Sequence, residues 1–182
     1  ATGESFYEDE SFLEGLKETD ERFIGAQLYH LLQEMEKSRL SYAKEILRQS
    51  RKFKEIQYLK SIPGIGPIQA ARIVSQVVDP ERFANKYKFF SYCGLVRHKR
   101  ESGGKEYGSV KIHGNRILKC VYKMAAHATL RGKSGLRKHY DYLRTQGVSH
   151  QNASNAISRK IAAISLSVWR KHRKYEDKSL KS

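Results

Sequence analysis

Between Leu95 and His113 the chain gathers Arg97, His98, Lys99, Arg100, Lys105, Lys111 and His113 around the hydroxyl of Ser102, which Gly103-Gly104 follow. Phosphoryl transfer asks for charge stabilisation at the non-bridging oxygens and a positioned nucleophile, and for little else. A serine in this setting, with glycines letting a backbone come close, could attack a phosphodiester once a base or a metal activates it. His98, Glu101 and His113 are the local candidates for the proton. The same residues also read as a plain Ser-Gly-Gly turn in a solvated basic loop. Tyr107 is the rival nucleophile.

The elements around this loop point to its ligand. Leu59-Lys-Ser-Ile-Pro-Gly-Ile-Gly-Pro-Ile-Gln-Ala-Ala-Arg-Ile-Val74 reads as a helix, a Gly-Ile-Gly hairpin and a second helix. Gly64 and Gly66 take backbone angles closed to other residues and leave no side chain in the way. Pro67 fits the first turn of the helix that follows, whose free N–H groups can meet a phosphate oxygen. Such a grip holds a nucleic-acid backbone without reading its sequence. Charge agrees: of the formal +16, residues 1–50 carry net −5 and residues 51–182 net +21, which suits a polyanionic partner for the second part. A solvated basic surface is the bland alternative. Asn115 and Arg116 stand at a helix start where they could reach a phosphate, and Tyr92, Tyr107, Tyr122, Tyr140 and Tyr142 could stack on bases or simply pack.

The remaining pattern is mostly α. Leu28, Leu32, Met35, Arg39, Tyr42, Ile46, Gln49, Phe53 and Ile56 form a 4–3 ladder, and no Gly or Pro interrupts Ala26 to Ile62. The spacing predicts one long helix with a coiled-coil seam and self-association through residues 26–62; a core helix folded on its own domain is the alternative. Further helices are expected from about Asn85 to Cys93, Asn115 to Leu130 and Gly135 to Gln146. Ser149 or Asn152 can cap a last one that buries Ala153, Ala156, Ile157, Ile161, Ile164, Val168 and Trp169. Segment 95–113 lacks a helical period and is expected as a loop or short hairpin turning at Gly103-Gly104. Residues 1–12 are expected as a frayed acidic end, 13–58 as the long helix, 59–174 as the domain containing the helix-hairpin-helix, and 175–182 as a flexible tail.

Several classes are disfavoured. No apolar run approaches the roughly 20 residues that span a bilayer, so no membrane partner is expected. Cys93 and Cys120 suit a reducing compartment and lack the companions of a zinc site. After residue 50 the carboxylates Glu55, Asp79, Glu81, Glu101, Glu106, Asp141, Glu176 and Asp177 form no cluster, so no metal and no other cofactor is expected in this chain.

In order along the chain, Ser61-Ile-Pro-Gly-Ile-Gly-Pro67, Phe83, Tyr92-Cys-Gly-Leu95, Glu101-Ser-Gly-Gly-Lys105, His113-Gly-Asn-Arg116 and Arg159-Lys160 follow a known pattern. Over about residues 55–172 the sequence resembles the C-terminal half of the DEDD insertion-sequence transposases, the family that includes the Piv DNA invertase. The resemblance implies that Ser102 is the counterpart of the serine proposed to attack DNA and form a transient phosphoserine link. It also implies an N-terminal RuvC-like domain carrying four carboxylates and Mg2+, whose strands and ligand spacing residues 1–25 do not show. The chain is therefore expected to be a domain or fragment that binds nucleic acid but does not cut alone. DNA, a structured guide RNA and a cytoplasmic, nucleoid-associated setting follow from the same resemblance. Residues expected at the nucleic acid are Gly64, Gly66, Arg97, Lys99, Arg100, Lys105, Lys111, Asn115 and Arg116. Two departures stand out: Gly94-Leu-Val-Arg97 replaces the common Gly-Leu-x-Pro, and Lys119 occupies a common arginine position, losing bidentate phosphate geometry. A non-catalytic binding module and an oligomerisation element remain as alternatives.

Overall fold

A computed structural model describes residues 10–16, 18–111 and 113–177, with only the backbone at 10, 12, 98–101, 106, 107 and 109–111. The expected mostly α class holds. In order, a 3-10 turn over Glu10–Gly15 precedes α1 (Thr19–Ser50), α2 (Lys54–Lys60), α3 (Pro67–Val77), α4 (Lys86–Tyr92), β1 (Arg97–Ser102), β2 (Lys105–Lys111), α5 (Arg116–Leu130), α6 (Gly135–Thr145) and α7 (His150–Arg170). The chain divides into two compact units, residues 1–46 and 47–182. No helix among the described residues is long and apolar enough to cross a membrane.

In the first unit the 3-10 turn rests on α1 at Gly25, where a β-carbon would lie 2.9 Å from the Leu13 side chain. Residues 1–9 of the expected frayed end lie outside the described residues. Ile24, Leu28, Leu31, Leu32, Met35, Tyr42 and Ile46 fall within about 100° of the helix circumference and form one apolar stripe. Among the described residues that stripe has no cover: Leu28 is 62%, Met35 63% and Tyr42 72% exposed. Arg39, the charged member of the ladder, pairs with Glu36 one turn earlier.

An unbroken helix to Ile62 is not what forms. The helix stops at Ser50, residues 51–53 turn, and α2 begins at Lys54. The hydroxyl of Ser50 donates back to the Leu47 carbonyl at 2.8 Å, while Lys52 and Phe53 donate to Gln49 and Ser50 in tighter i→i−3 bonds. Gln57 of α2 then adds a second bond to the Ser50 carbonyl. The break lets Ile56, Leu59 and Ile62 enter the core, each worth about 1.5–3 kcal/mol when buried.

The second unit is built on α5 and α7. Tyr122, Leu118, Val121, Ile157 and Ile161 are buried between them. Phe83, Phe89 and Tyr92 close one end, with the Phe83 ring 4.9 Å from Phe89 and 5.2 Å from Tyr92. Arg170 ties α7 to this corner by donating to the Pro80 and Phe83 carbonyls. Asn85, Ser134 and Ser149 cap α4, α6 and α7, their side chains accepting backbone N–H bonds that the first turn leaves open. Where a flexible tail is expected, Tyr175 is half-buried: its N–H donates to Ser61 Oγ, and Asp177 accepts from the Gly135 N–H. Residues 178–182 of that tail lie outside the described residues.

Candidate functional site

The basic loop is an antiparallel hairpin, with Arg97 opposite Lys111 at its base and Ser102 opposite Lys105 at its tip. Gly103 at φ +57 and Gly104 at φ +73 are the two central turn residues, the positive-φ pair of a type I′ turn that matches the twist of the strands. The register slips between Lys99 and Glu101, and Gly108 faces that stretch at φ +102. Ser102 and Lys105 are exposed at the tip. Lys99, Arg100 and Lys111 lie on the strands, and their side chains, like those of His98, Glu101 and Tyr107, lie outside the described residues.

Two glycines pinch the foot of the hairpin. A β-carbon on Gly114 would sit 2.4 Å from the Gly94 nitrogen and 2.8 Å from the Ser91 carbonyl oxygen. Around that contact Leu95 N–H donates to Phe90 O at 2.9 Å and Asn115 N–H to Tyr92 O at 2.7 Å. The Tyr92-Cys-Gly-Leu and His-Gly-Asn-Arg motifs, whose glycines are 20 residues apart, thus meet as one joint. Asn115 is occupied within it: its carbonyl oxygen accepts from Leu118 N–H, capping α5, and its amide donates to Gln76 at 2.8 Å. Arg116, the first residue of α5, is exposed. His113 sits at this foot, whereas Ser102 is five residues up β1, on the order of 17 Å away at strand rise. That separation removes His113 as a direct proton acceptor for Ser102 within this chain.

The turn between α2 and α3 faces inward. Gly64 has φ +85, and a β-carbon there would lie 2.2 Å from the Ala125 carbonyl oxygen and 2.4 Å from Thr129 Oγ1. The Thr129 hydroxyl also lies 2.9 Å from the Pro63 carbonyl. Gly66 offers less than its sequence suggests, since its N–H donates to Gln69 Oε1 at 2.8 Å. The close approach these glycines permit is thus to α5 and to Gln69. Along α5 this contact, at Ala125 and Thr129, lies about 14–20 Å from Arg116. The expected site residues therefore occupy three places: hairpin tip, hairpin foot and helical turn.

The tyrosines separate in the same way. Tyr122 is fully buried, and its burial pushes the phenol pKa well up, so base stacking there is excluded. Tyr92 donates to the Gln76 carbonyl and Tyr140 meets His150, while Tyr142 is exposed. Cys93 is buried with its thiol pKa pushed up by desolvation. Among the described residues no group of three or more His, Cys, Asp or Glu could hold a metal ion. Lys123, Gln151, Asn155 and Arg159 were not legible as site residues. They join Arg97 in a cleft beside the hairpin foot only because α5 and α7 pack together.

Much of this domain is similar to transposases. Residues 56–141, from α2 into α6 and including both turns, match the family model described as Transposase IS116/IS110/IS902 family. The mini-circle putative transposase for IS117 of Streptomyces coelicolor is 30% identical over 139 residues, 74% of this chain and 33% of that relative. A probable family 20 transposase of Pseudomonas aeruginosa is 24% identical over 163 residues, 84% of this chain and 47% of that protein. An uncharacterized 42 kDa protein of insertion element IS900 from Mycobacterium paratuberculosis is 27% identical over 129 residues, 69% and 32% respectively. The chain thus spans between a third and a half of the length of these relatives.

Proposed function

We propose that this chain is the nucleic-acid-binding part of an insertion-sequence transposase and presents Ser102 as the nucleophile for DNA strand cleavage and exchange. The observation that carries the reading is the placement of Ser102. It stands beside Lys105 at the exposed tip of a hairpin whose foot is pinned to the core, within a stretch matched by a transposase family model. A tip offers the hydroxyl to a large substrate that no enclosed pocket would admit. In the proposed step the Ser102 Oγ–phosphorus bond forms as a bridging P–O bond of the DNA breaks. The serine proton goes to a base, and the departing oxygen is protonated. A DNA hydroxyl later reverses the step on a new strand and frees the serine.

The described residues contain no donor set for Mg2+, so no part of this step is routed through a metal here. The carboxylates and Mg2+ that such a reaction would use are assigned to a further domain of the whole transposase. Lys99, Arg100, Lys111 and Arg116 remain in the proposal as phosphate contacts. Asn115, Gly64 and Gly66 enter it as parts of the scaffold that aims them. A structured guide RNA beside the DNA, and self-association through the bare stripe of α1, complete the proposed partners.

The test is Ser102→Ala in a full-length transposase containing this domain, scored for strand exchange and for covalent protein–DNA adducts. Loss of both with DNA binding retained is the expected result. Retained adducts would remove Ser102 and turn attention to Tyr107. The competing reading is a binding module without chemistry, favoured by the fact that Ser-Gly-Gly suffices to build a type I′ turn; it requires strand exchange to survive the substitution.

A further inference from the structure

Beside the hairpin foot lies a cleft of about 500 Å3. Its charged lining is Arg97 from β1, Lys119 and Lys123 from α5 and Arg159 from α7, and among the described residues no carboxylate lines it. Lys119 and Lys123 are one turn apart on one face of α5, and Gln151, Asn155 and Arg159 recur at the same spacing on α7. The two helix faces thus bring three cations and the amides of Gln151, Asn152 and Asn155 to one space, and β1 adds Arg97. Lys119, Lys123 and Arg159 are only partly exposed, and among the described residues none of the four cations has an ion-pair partner. Like charges held close in a partly desolvated cleft repel, and a polyanion relieves that repulsion. Arg159 also donates to the Leu95 carbonyl, which fixes it against the hairpin foot.

Size narrows the ligand. The volume falls in the range of about 300–1,000 Å3 that encloses groups of small-molecule size, and a double helix is far too broad to enter it. A strand with its bases unstacked can place one nucleotide there. The amides of Gln151 and Asn155 have the donor and acceptor pair that reads a base edge, and Gln151 donates to Asn155 at 3.3 Å.

We infer that this cleft binds a single-stranded nucleic-acid segment, its phosphates on Arg97, Lys119, Lys123 and Arg159 and a base edge on Gln151 and Asn155. The inference rests on the reading of this chain as a nucleic-acid binder and gives it a specific seat, away from the hairpin tip.

The experiment is fluorescence anisotropy of the 182-residue chain with labelled DNA and RNA single strands of one sequence and with the DNA duplex, over a salt series. The pair K119A/K123A is compared with K138A/K171A, which removes the same charge from exposed positions outside the cleft. Thermal melting followed by Trp169 emission establishes that both variants are folded. For single strands the cleft pair should weaken binding about tenfold and flatten the log–log salt slope by about 1.4, while the control pair changes neither comparably. Whichever of DNA or RNA loses more identifies the strand bound. A second variant, Q151A/N155A, should leave the slope intact and level the differences among homopolymer strands. Equal losses for the cleft and control pairs, or equal losses for duplex and single strand, would overturn the inference. A wild-type chain without salt-sensitive binding would instead remove the functional reading beneath it.

Discussion

Gly64→Ala separates two uses of one residue. The structure places a new β-carbon 2.2 Å from the Ala125 carbonyl oxygen and 2.4 Å from Thr129 Oγ1, both in the middle of the unit. Two costs add. A non-glycine residue at φ +85 costs about 1–2 kcal/mol, and forcing a methyl group into a packed contact costs about 1–3 kcal/mol more. The sum, about 2–5 kcal/mol, is a large part of the roughly 5–15 kcal/mol that holds a domain folded. The chain supplies its own probe: Trp169 is its single tryptophan and is 5% exposed. Urea unfolding followed by its emission should show the midpoint falling by about 2 M, taking a slope near 2 kcal/mol per molar. Gly103→Ala is the comparison, for it shares the positive φ but has open space around its α-carbon; it should carry only the backbone cost of about 1–2 kcal/mol and shift the midpoint by less than about 1 M. If Gly64→Ala unfolds with the wild-type midpoint and loses nucleic-acid binding, the close approach at Gly64 serves the ligand and the packing explanation is wrong.

Other consequences can be checked with the same protein. Asn115→Ala removes the α5 cap and the bond to Gln76, and should cost about 1–2 kcal/mol in denaturant unfolding. Val78 stands at φ +62 and ψ −59, with Asp79 N–H donating to Val77 O across it in a strained γ-turn; Val78→Gly should raise stability by about 1 kcal/mol in thermal melts. Burial, and then the Asp177 carboxylate, push the Tyr175 phenol from 10.0 up to about 12. A raised folded-state value means that its contribution is whole below pH 10 and is lost as pH rises towards 12; Tyr175→Phe should erase that part of the pH–stability profile. Leu28→Glu with Met35→Glu puts charge on the bare stripe of α1. Sedimentation should then report a smaller species than wild type, with the Trp169 unfolding midpoint unchanged.

Helix positions were legible wherever periodicity and a cap agreed. Ser149 with the Ala153–Ile157–Ile161 spacing gives α7, Asn115 gives α5, and Asn85 with Gly94 brackets α4. The Gly103-Gly104 pair gives the hairpin turn because both residues need positive φ. The break after Ser50 was not legible, since neither Gly nor Pro marks it and Ser50, Gln57 and the burial of Ile56 make it together. At the helical turn, Gly64 and Gly66 in the sequence suggest a close approach open to a phosphate. Sequence tells that a backbone approaches closely there, and only the packing of α5 tells which one. The cleft was out of reach for the same reason: Arg97, Lys123 and Arg159 are distant in the chain, and nothing local in their types or spacing announces that two helices will set them side by side.

The pinched foot at Gly94 and Gly114 has a consequence for how this protein can change over time. Because the core closes the loop there, whatever lies between is a side branch whose length the rest of the unit scarcely senses. Doubling the branch would add only about 0.6 kcal/mol of closure entropy. A lineage can therefore lengthen, shorten or rewrite the strands that carry Ser102. The helices beneath need not be redesigned, so long as the two glycines stay in contact.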